Sequence, residues 1–148
     1  MADDAWKRAS GIRLVQFGLV LFLFGLVTGF VVPAAANPRM GLSSHMQGLT
    51  NGMFLAIMGL VWPWLAASRG LLRVSAVLLV FGAYANWATT LAAALWGAGG
   101  AMMPIAAGGF EGAPWQEAAI AFGLLSLSAA VIAGVALALW SLRVRAAA

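Results

Sequence analysis

Residues 14–38, LVQFGLVLFLFGLVTGFVVPAAANP, contain no Asp, Glu, Lys or Arg. A helix needs roughly 20 apolar residues to cross the hydrocarbon of a bilayer. The run from Leu14 to Val32 supplies 19. Three further charge-free stretches follow, 40–68, 74–110 and 118–142, of 29, 37 and 25 residues. Soluble domains carry about a quarter charged residues. This 148-residue chain carries 8%, is 64% hydrophobic and has a mean hydropathy of +0.97. Disorder is excluded by the same composition. The pattern predicts an all-α, integral membrane four-helix bundle. It is one domain, 1–148, with multi-pass spans at about 11–32, 43–67, 72–96 and 116–142.

The charges orient the bundle. Lys7, Arg8 and Arg13 precede the first span, Arg69 and Arg73 separate the second from the third, and Arg143 and Arg145 follow the fourth. Seven of the eight basic residues thus fall on one side, and Arg39, Glu111 and Glu117 on the other. Lys/Arg bias marks the cytoplasmic side of short-looped membrane proteins, so both termini are expected in the cytoplasm. Lys7-Arg8, an apolar run and Ala34-Ala35-Ala36 imitate a secretory signal, but 19 residues exceed the usual ~7–15, and an uncleaved helix is expected. The basic residues are scattered at helix ends rather than gathered in a patch, so nucleic acid is not an expected partner despite a net charge of +4. With no cysteine, thiolate ligands, disulfides and Cys nucleophiles are excluded.

Local signals divide the spans. Pro33 and Pro38 stop the first helix, and Ser43 or Ser44 is the expected N-cap of the second. Pro63 should kink its far end. Segment 97–114, with glycines at 97, 99, 100, 108, 109 and 112, reads as a long flexible loop and a candidate lid. It matches no phosphate-binding pattern, because no strand precedes it and no Gly-Lys-Ser/Thr follows. Small residues recur at helical spacing: Gly18, Gly25 and Gly29; Gly48, Gly52 and Gly59; Gly123, Ser126, Ala130 and Gly134. Close helix packing in lipid uses such stripes. Trp6, Trp62, Trp64, Trp96, Trp115 and Trp140 sit where interfacial aromatic belts are expected.

Few side chains inside the spans can do chemistry: His45, Gln47, Thr50 and Asn51, then Tyr84, Asn86, Thr89 and Thr90. No span contains an acid or a strong base, which argues against an ion pump or proton relay. His45 is the only histidine, and Gly48 and Gly52 follow at i+3 and i+7. An imidazole beside a strip without side chains could be a structural residue on a packing seam. On spacing alone that is the commoner case; the other is a strip that leaves room for a flat porphyrin whose iron it ligates. Met102 and Met103 are alternative soft ligands. Asn51 lies about 240° around the helix from His45. It either bonds another helix, with Asn86 the expected partner, or faces a pocket formed against a neighbouring subunit.

The segment Asn37-Pro38-Arg39-Met40-Gly41-Leu42-Ser43-Ser44-His45, followed by Asn51-Gly52-Met53, resembles bacterial hydroxylaminobenzene mutases. More distantly, His-x5-Asn-Gly-Met, four spans and a helix-3 asparagine resemble membrane-bound styrene oxide isomerases. The resemblance implies an isomerase of aromatic compound metabolism in the bacterial cytoplasmic (inner) membrane, needing no redox partner. It implies a ferric haem b at the subunit interfaces of a homotrimer, with His45 as axial ligand and Gly48 and Gly52 beside the cofactor. Asn51 would position the substrate, with Asn86 and Tyr84 assisting. The expected reaction converts an aryl hydroxylamine to an ortho-aminophenol, by haem-iron Lewis-acid catalysis with intramolecular oxygen transfer. The isomerases' active-site tyrosine falls at Thr90, a departure that counts against epoxide-to-aldehyde isomerisation, the alternative activity. A non-catalytic membrane subunit, in which His45 and the asparagines merely tie helices together, is the alternative of a different class.

Overall fold

The computed structural model describes residues 2–142; Arg143 and Arg145 lie outside the described residues. The described chain is all-helical: α1 Ala2–Val31, α2 Pro38–Val61, α3 Arg69–Trp96, the single turn α4 Pro104–Ala107, and α5 Pro114–Ser141. Helices within Asp3–Ala34, Arg69–Trp96 and Pro114–Ser141 are long and apolar enough to cross a membrane. α2 is long enough at 24 residues. It falls short in hydropathy because it carries Ser43, Ser44, His45, Gln47, Thr50, Asn51 and four glycines.

Prolines and caps set the boundaries. Pro33 lies in a 3-10 turn, Val32–Ala34, that ends α1. α2 begins at Pro38, five residues earlier than expected from the serines. Its N-cap is Asn37, whose Oδ1 accepts the Met40 N–H at 3.1 Å. Proline at the first helical position loses no needed donor, so Asn37-Pro38 is itself a start signal. Ser44 instead lies buried inside α2 and donates to the Trp87 carbonyl at 3.1 Å. Pro63 does more than kink α2: the helix stops at Val61 and a 3-10 turn, Trp62–Trp64, follows. Ser68 then caps α3.

Each long helix packs on its neighbour in chain order, α1 on α2, α2 on α3, and α3 on α5, with slighter contact between α1 and α3. The α1–α2 seam is backbone against backbone. A Cβ on Gly18 would lie 2.6 Å from the Gly52 carbonyl oxygen, and one on Gly25 would lie 2.7 Å from the Leu49 nitrogen. Gly11 and Gly59 meet in the same way. Across α3 and α5, Ser75 donates to the Gly134 carbonyl at 2.9 Å. Trp62 departs from its expected place in an aromatic belt. It is fully buried, in a core with Leu14, Leu65 and Leu72, where the chain leaves α2 and crosses under α1. Trp64, Trp115 and Trp140 are exposed.

A side chain at the glycine seam must push two backbones apart. Gly52→Ala is expected to destabilise the fold by about 1–3 kcal/mol, the range for overpacking. Gly70→Ala, where nothing lies within 4 Å of the added carbon, should leave stability unchanged or raise it. Unfolding midpoints in mixed detergent micelles check both.

Candidate active site on the second helix

His45 lies on the α1 side of α2. Its Nδ1 is 2.8 Å from the Gly25 carbonyl oxygen, and its ring lies over Gly29, where a Cβ would approach Nδ1 to 3.0 Å. A carbonyl can only accept, so Nδ1 carries the hydrogen and donates it. In the neutral ring this leaves Nε2 with its lone pair. Metal-ligating histidines are commonly held in this way, with the other nitrogen donating to a backbone carbonyl. Among the described residues no cluster of three or more His, Asp or Glu could hold an ion. A single histidine held by one ring nitrogen could serve a group that brings its own equatorial ligands, as a haem does.

The expected cradle is corrected. Gly48 and Gly52 face α1, where Gly25, Gly18 and Phe22 fill the space left by their missing side chains. A flat cofactor has no room on that strip within one protomer. The open face beside His45 carries Leu42, Met46, Met53 and Ile57, all about half exposed. A groove of about 530 Å³ at its upper end runs between Arg39, Leu42 and Met46 of α2 and Met102, Pro104 and Ile105 of the loop.

On the opposite side of α2, Gln47 collects two amides. Its Oε1 accepts from Asn86 Nδ2 at 2.9 Å and from Asn51 Nδ2 at 3.4 Å. Asn51 and Asn86 are thus brought together, through Gln47 rather than directly. The sequence reading gave Gln47 no role, although its i,i+4 spacing from Asn51 placed both on one face. Tyr84 is not part of this group. Its hydroxyl donates to the Phe17 carbonyl at 2.9 Å, and its ring meets Phe17 and Phe24 edge-on. Thr90 is buried and donates to the Asn86 and Trp87 carbonyls. His45 and the amide cluster therefore occupy two different faces of one helix.

The glycine-rich loop is not a loose lid. Glu117, in the first turn of α5, accepts the backbone N–H groups of Gly99 at 2.8 Å, Gly112 at 2.9 Å, Ala101 at 3.2 Å and Gly100 at 3.4 Å. Asn37 pins the other side: Nδ2 donates to the Ala107 carbonyl at 2.8 Å, and its backbone N–H to Ala94 at 2.9 Å. Gly97 and Gly108, at φ 64° and 62°, make the left-handed turns that end α3 and α4.

An apolar helical protein with one oriented histidine on one face of its most polar helix, and an amide cluster on another, is a membrane protein built around that helix. The model of the family described as styrene oxide isomerase matches residues 11–143, and the chain belongs to that family. It is 56% identical over 131 residues to hydroxylaminobenzene mutase HabB of Ectopseudomonas oleovorans, covering 88% of this chain and 80% of the relative. It is 49% identical over 120 residues to hydroxylaminobenzene mutase HabA of the same organism, covering 81% and 89%. No solved structure matches significantly. The protein is an isomerase, which removes the reading as a non-catalytic subunit.

Glu117→Ala removes the shared acceptor of four amides. Hydrogen exchange at Gly99, Gly100, Ala101 and Gly112 is expected to accelerate at least tenfold, on the order expected for losing a charged acceptor. Amides at the α1–α2 seam should keep their protection.

Proposed function

We propose that the protein isomerises hydroxylaminobenzene-type aryl hydroxylamines to ortho-aminophenols within the membrane. The observation that carries this reading is the 56% identity to a hydroxylaminobenzene mutase, over a region that includes His45, Gln47, Asn51 and Asn86. Thr90 also favours it over epoxide isomerisation, because a buried hydroxyl tied to two carbonyls offers no free phenol.

His45 Nε2 would hold a ferric haem b, the Gly25 carbonyl fixing the tautomer that leaves this lone pair free. Bound there, such a group would supply Lewis-acid chemistry at the substrate's N–O bond, with no electron exchanged. Atoms balance within the substrate. The N–O bond breaks, a C–O bond forms at the ortho carbon, the ring hydrogen leaves that carbon, and a proton returns to nitrogen. Asn51 and Asn86, oriented through Gln47, would donate N–H groups to the migrating oxygen as negative charge grows on it. Such donors contribute most when charge develops. The Leu42–Met53 face would pack on the aryl ring and keep water from capturing the para carbon. Since His45 and the amide cluster occupy different faces, the reading requires a second subunit, and in the homotrimer that the resemblance implies the His45 side of one subunit would meet the partner's Asn51 and Asn86. α2, about 36 Å long at 1.5 Å per residue, would be the fourth span, with both termini in the cytoplasm and the protein in the bacterial inner membrane.

Purified protein should show a Soret band. His45→Ala should lose that band and turnover together, while Asn51→Ala retains it and turns over roughly 10²–10³ more slowly. A His45→Ala chain with full Soret absorbance would assign the ligand elsewhere. In ¹⁸O-water the aminophenol should keep the substrate's oxygen; solvent label in the product would exclude intramolecular transfer. For orientation, Ala106→Cys and Ala147→Cys should react with impermeant reagent from opposite sides. Labelling of both from one side overturns the four-span topology.

A further inference from the structure

A second cavity, far from His45, has no part in this chemistry. It is a groove of about 550 Å³ between the N-terminal halves of α1 and α3. It exists because α1 packs chiefly on α2, and α3 on α5 and α2, which leaves α1 and α3 in slight contact with each other. Deeper in, the Phe17 and Phe24 contacts with Tyr84 close the gap. Towards the helix starts nothing does, and Leu14, Phe17, Val77, Val80 and Phe81 form apolar walls.

The mouth of this groove is polar in a specific way. Ser10, Arg13 and Arg73 line it. On each helix the polar residues precede the apolar ones along a single face: 10, 13, 14 and 17 on α1; 73, 76, 77 and 80 on α3. Arg73 is held at the rim by Trp6, its guanidinium carbon 5.6 Å from the ring centroid. The nearby carboxylate of Asp3 is bound to Arg69 at 2.6 Å. Among the described residues, neither Arg13 nor Arg73 has a carboxylate partner, and no hydrogen bond engages the Ser10 hydroxyl. Lys7, Arg8, Arg13, Arg69 and Arg73 outnumber Asp3 and Asp4 at this end of the molecule.

A slot with a hydrocarbon floor and, at its rim, two guanidinium groups that have no carboxylate partner among the described residues complements an anionic amphiphile. Basic pockets between membrane helices bind acidic headgroups by this combination. We propose that the groove holds an acyl chain of an anionic glycerophospholipid, with its phosphate between Arg13 and Arg73 and within reach of Ser10. This site is independent of the haem and of the isomerisation reading.

Native mass spectrometry of the full chain, delipidated in detergent, tests it with three probes: phosphatidylglycerol, phosphatidylcholine of the same chains, and glycerol 3-phosphate. Phosphatidylglycerol should bind at least tenfold more tightly than phosphatidylcholine, and glycerol 3-phosphate should give no adduct at equal concentration. The double variant Arg13→Gln/Arg73→Gln should lose roughly 30-fold in phosphatidylglycerol affinity, since each cation near the headgroup contributes about fivefold. Val77→Trp, on the exposed groove wall, should weaken both lipids while leaving the oligomeric state unchanged. Equal affinity for the two lipids, or undiminished binding by the double variant, overturns the proposal. Glycerol 3-phosphate binding as well as the lipid would reduce the site to a free-phosphate site. Loss of subunits from Val77→Trp would show the groove to be covered by a second copy. If the double variant does not fold, unchanged lipid binding by Val77→Trp is by itself enough to reject the site.

Discussion

The contact on which the rest of the structure depends is the glycine seam between α1 and α2. In hydrocarbon, burying apolar side chains against each other gains little, because lipid is as apolar as leucine. Helices adhere when their backbones come close enough for dense van der Waals contact, and Gly18 on Gly52, Gly25 beside Gly48 and Gly11 on Gly59 allow this. The same approach delivers the Gly25 carbonyl to His45 Nδ1 and leaves Gly29 bare beneath the ring. Stability and site orientation are therefore one interaction. A seam wider by one methyl group would lose the packing and the histidine's tautomer together.

That seam also explains how α2 can be the most polar long helix of a membrane protein. Polar groups in lipid must find partners inside the protein. α2 is flanked on both sides, and its polar side chains use both flanks: Ser44 bonds the Trp87 carbonyl, Gln47 bonds Asn86, and His45 bonds α1. Thr50, on the open face, returns its hydroxyl to the Met46 carbonyl of its own helix at 2.8 Å. α1 and α5, at the ends of the row, expose large apolar residues such as Phe30, Phe122 and Leu139 and need no such partners. The hydropathy deficit of α2 and its place between two partner helices thus go together.

The all-helical class and the long helices were legible from charge-free runs, and His45 and Asn51 stand out in the sequence only by the scarcity of polar residues around them. These are properties of single residues or of local periodicity. What escaped depends on which neighbour a residue meets. Gly48 and Gly52 read equally well as a cofactor cradle or a packing strip, and only the position of α1 decides between them. Tyr84 and Asn86 are two residues apart, but a helix turns them about 200° from each other, so Tyr84 goes to Phe17 and Asn86 to Gln47. The loop misled for a similar reason. Six glycines suggest mobility when counted along the chain, yet four backbone N–H groups converge on one carboxylate from α5. Glu117 lies five or more residues from each donor, beyond any local pattern.

The stretch 37–53, which carries the resemblance in the sequence, has a physical reason to be compact. Asn37 joins the start of α2 to the end of α3 and to the loop after it. Seven residues on, Ser44 bonds α3; the next residue, His45, bonds α1; Gln47 reaches the α3 amide; Gly48 and Gly52 admit α1. Nearly every turn of this half of α2 thus holds a different element in place. A substitution there disturbs not only its own side chain's contacts but the helix against which the next residue is registered. The positions of His45 and the amide cluster are consequences of one rod gripped along two sides. The rod's third side, Leu42 to Ile57, is left to whatever the assembled membrane protein places against it.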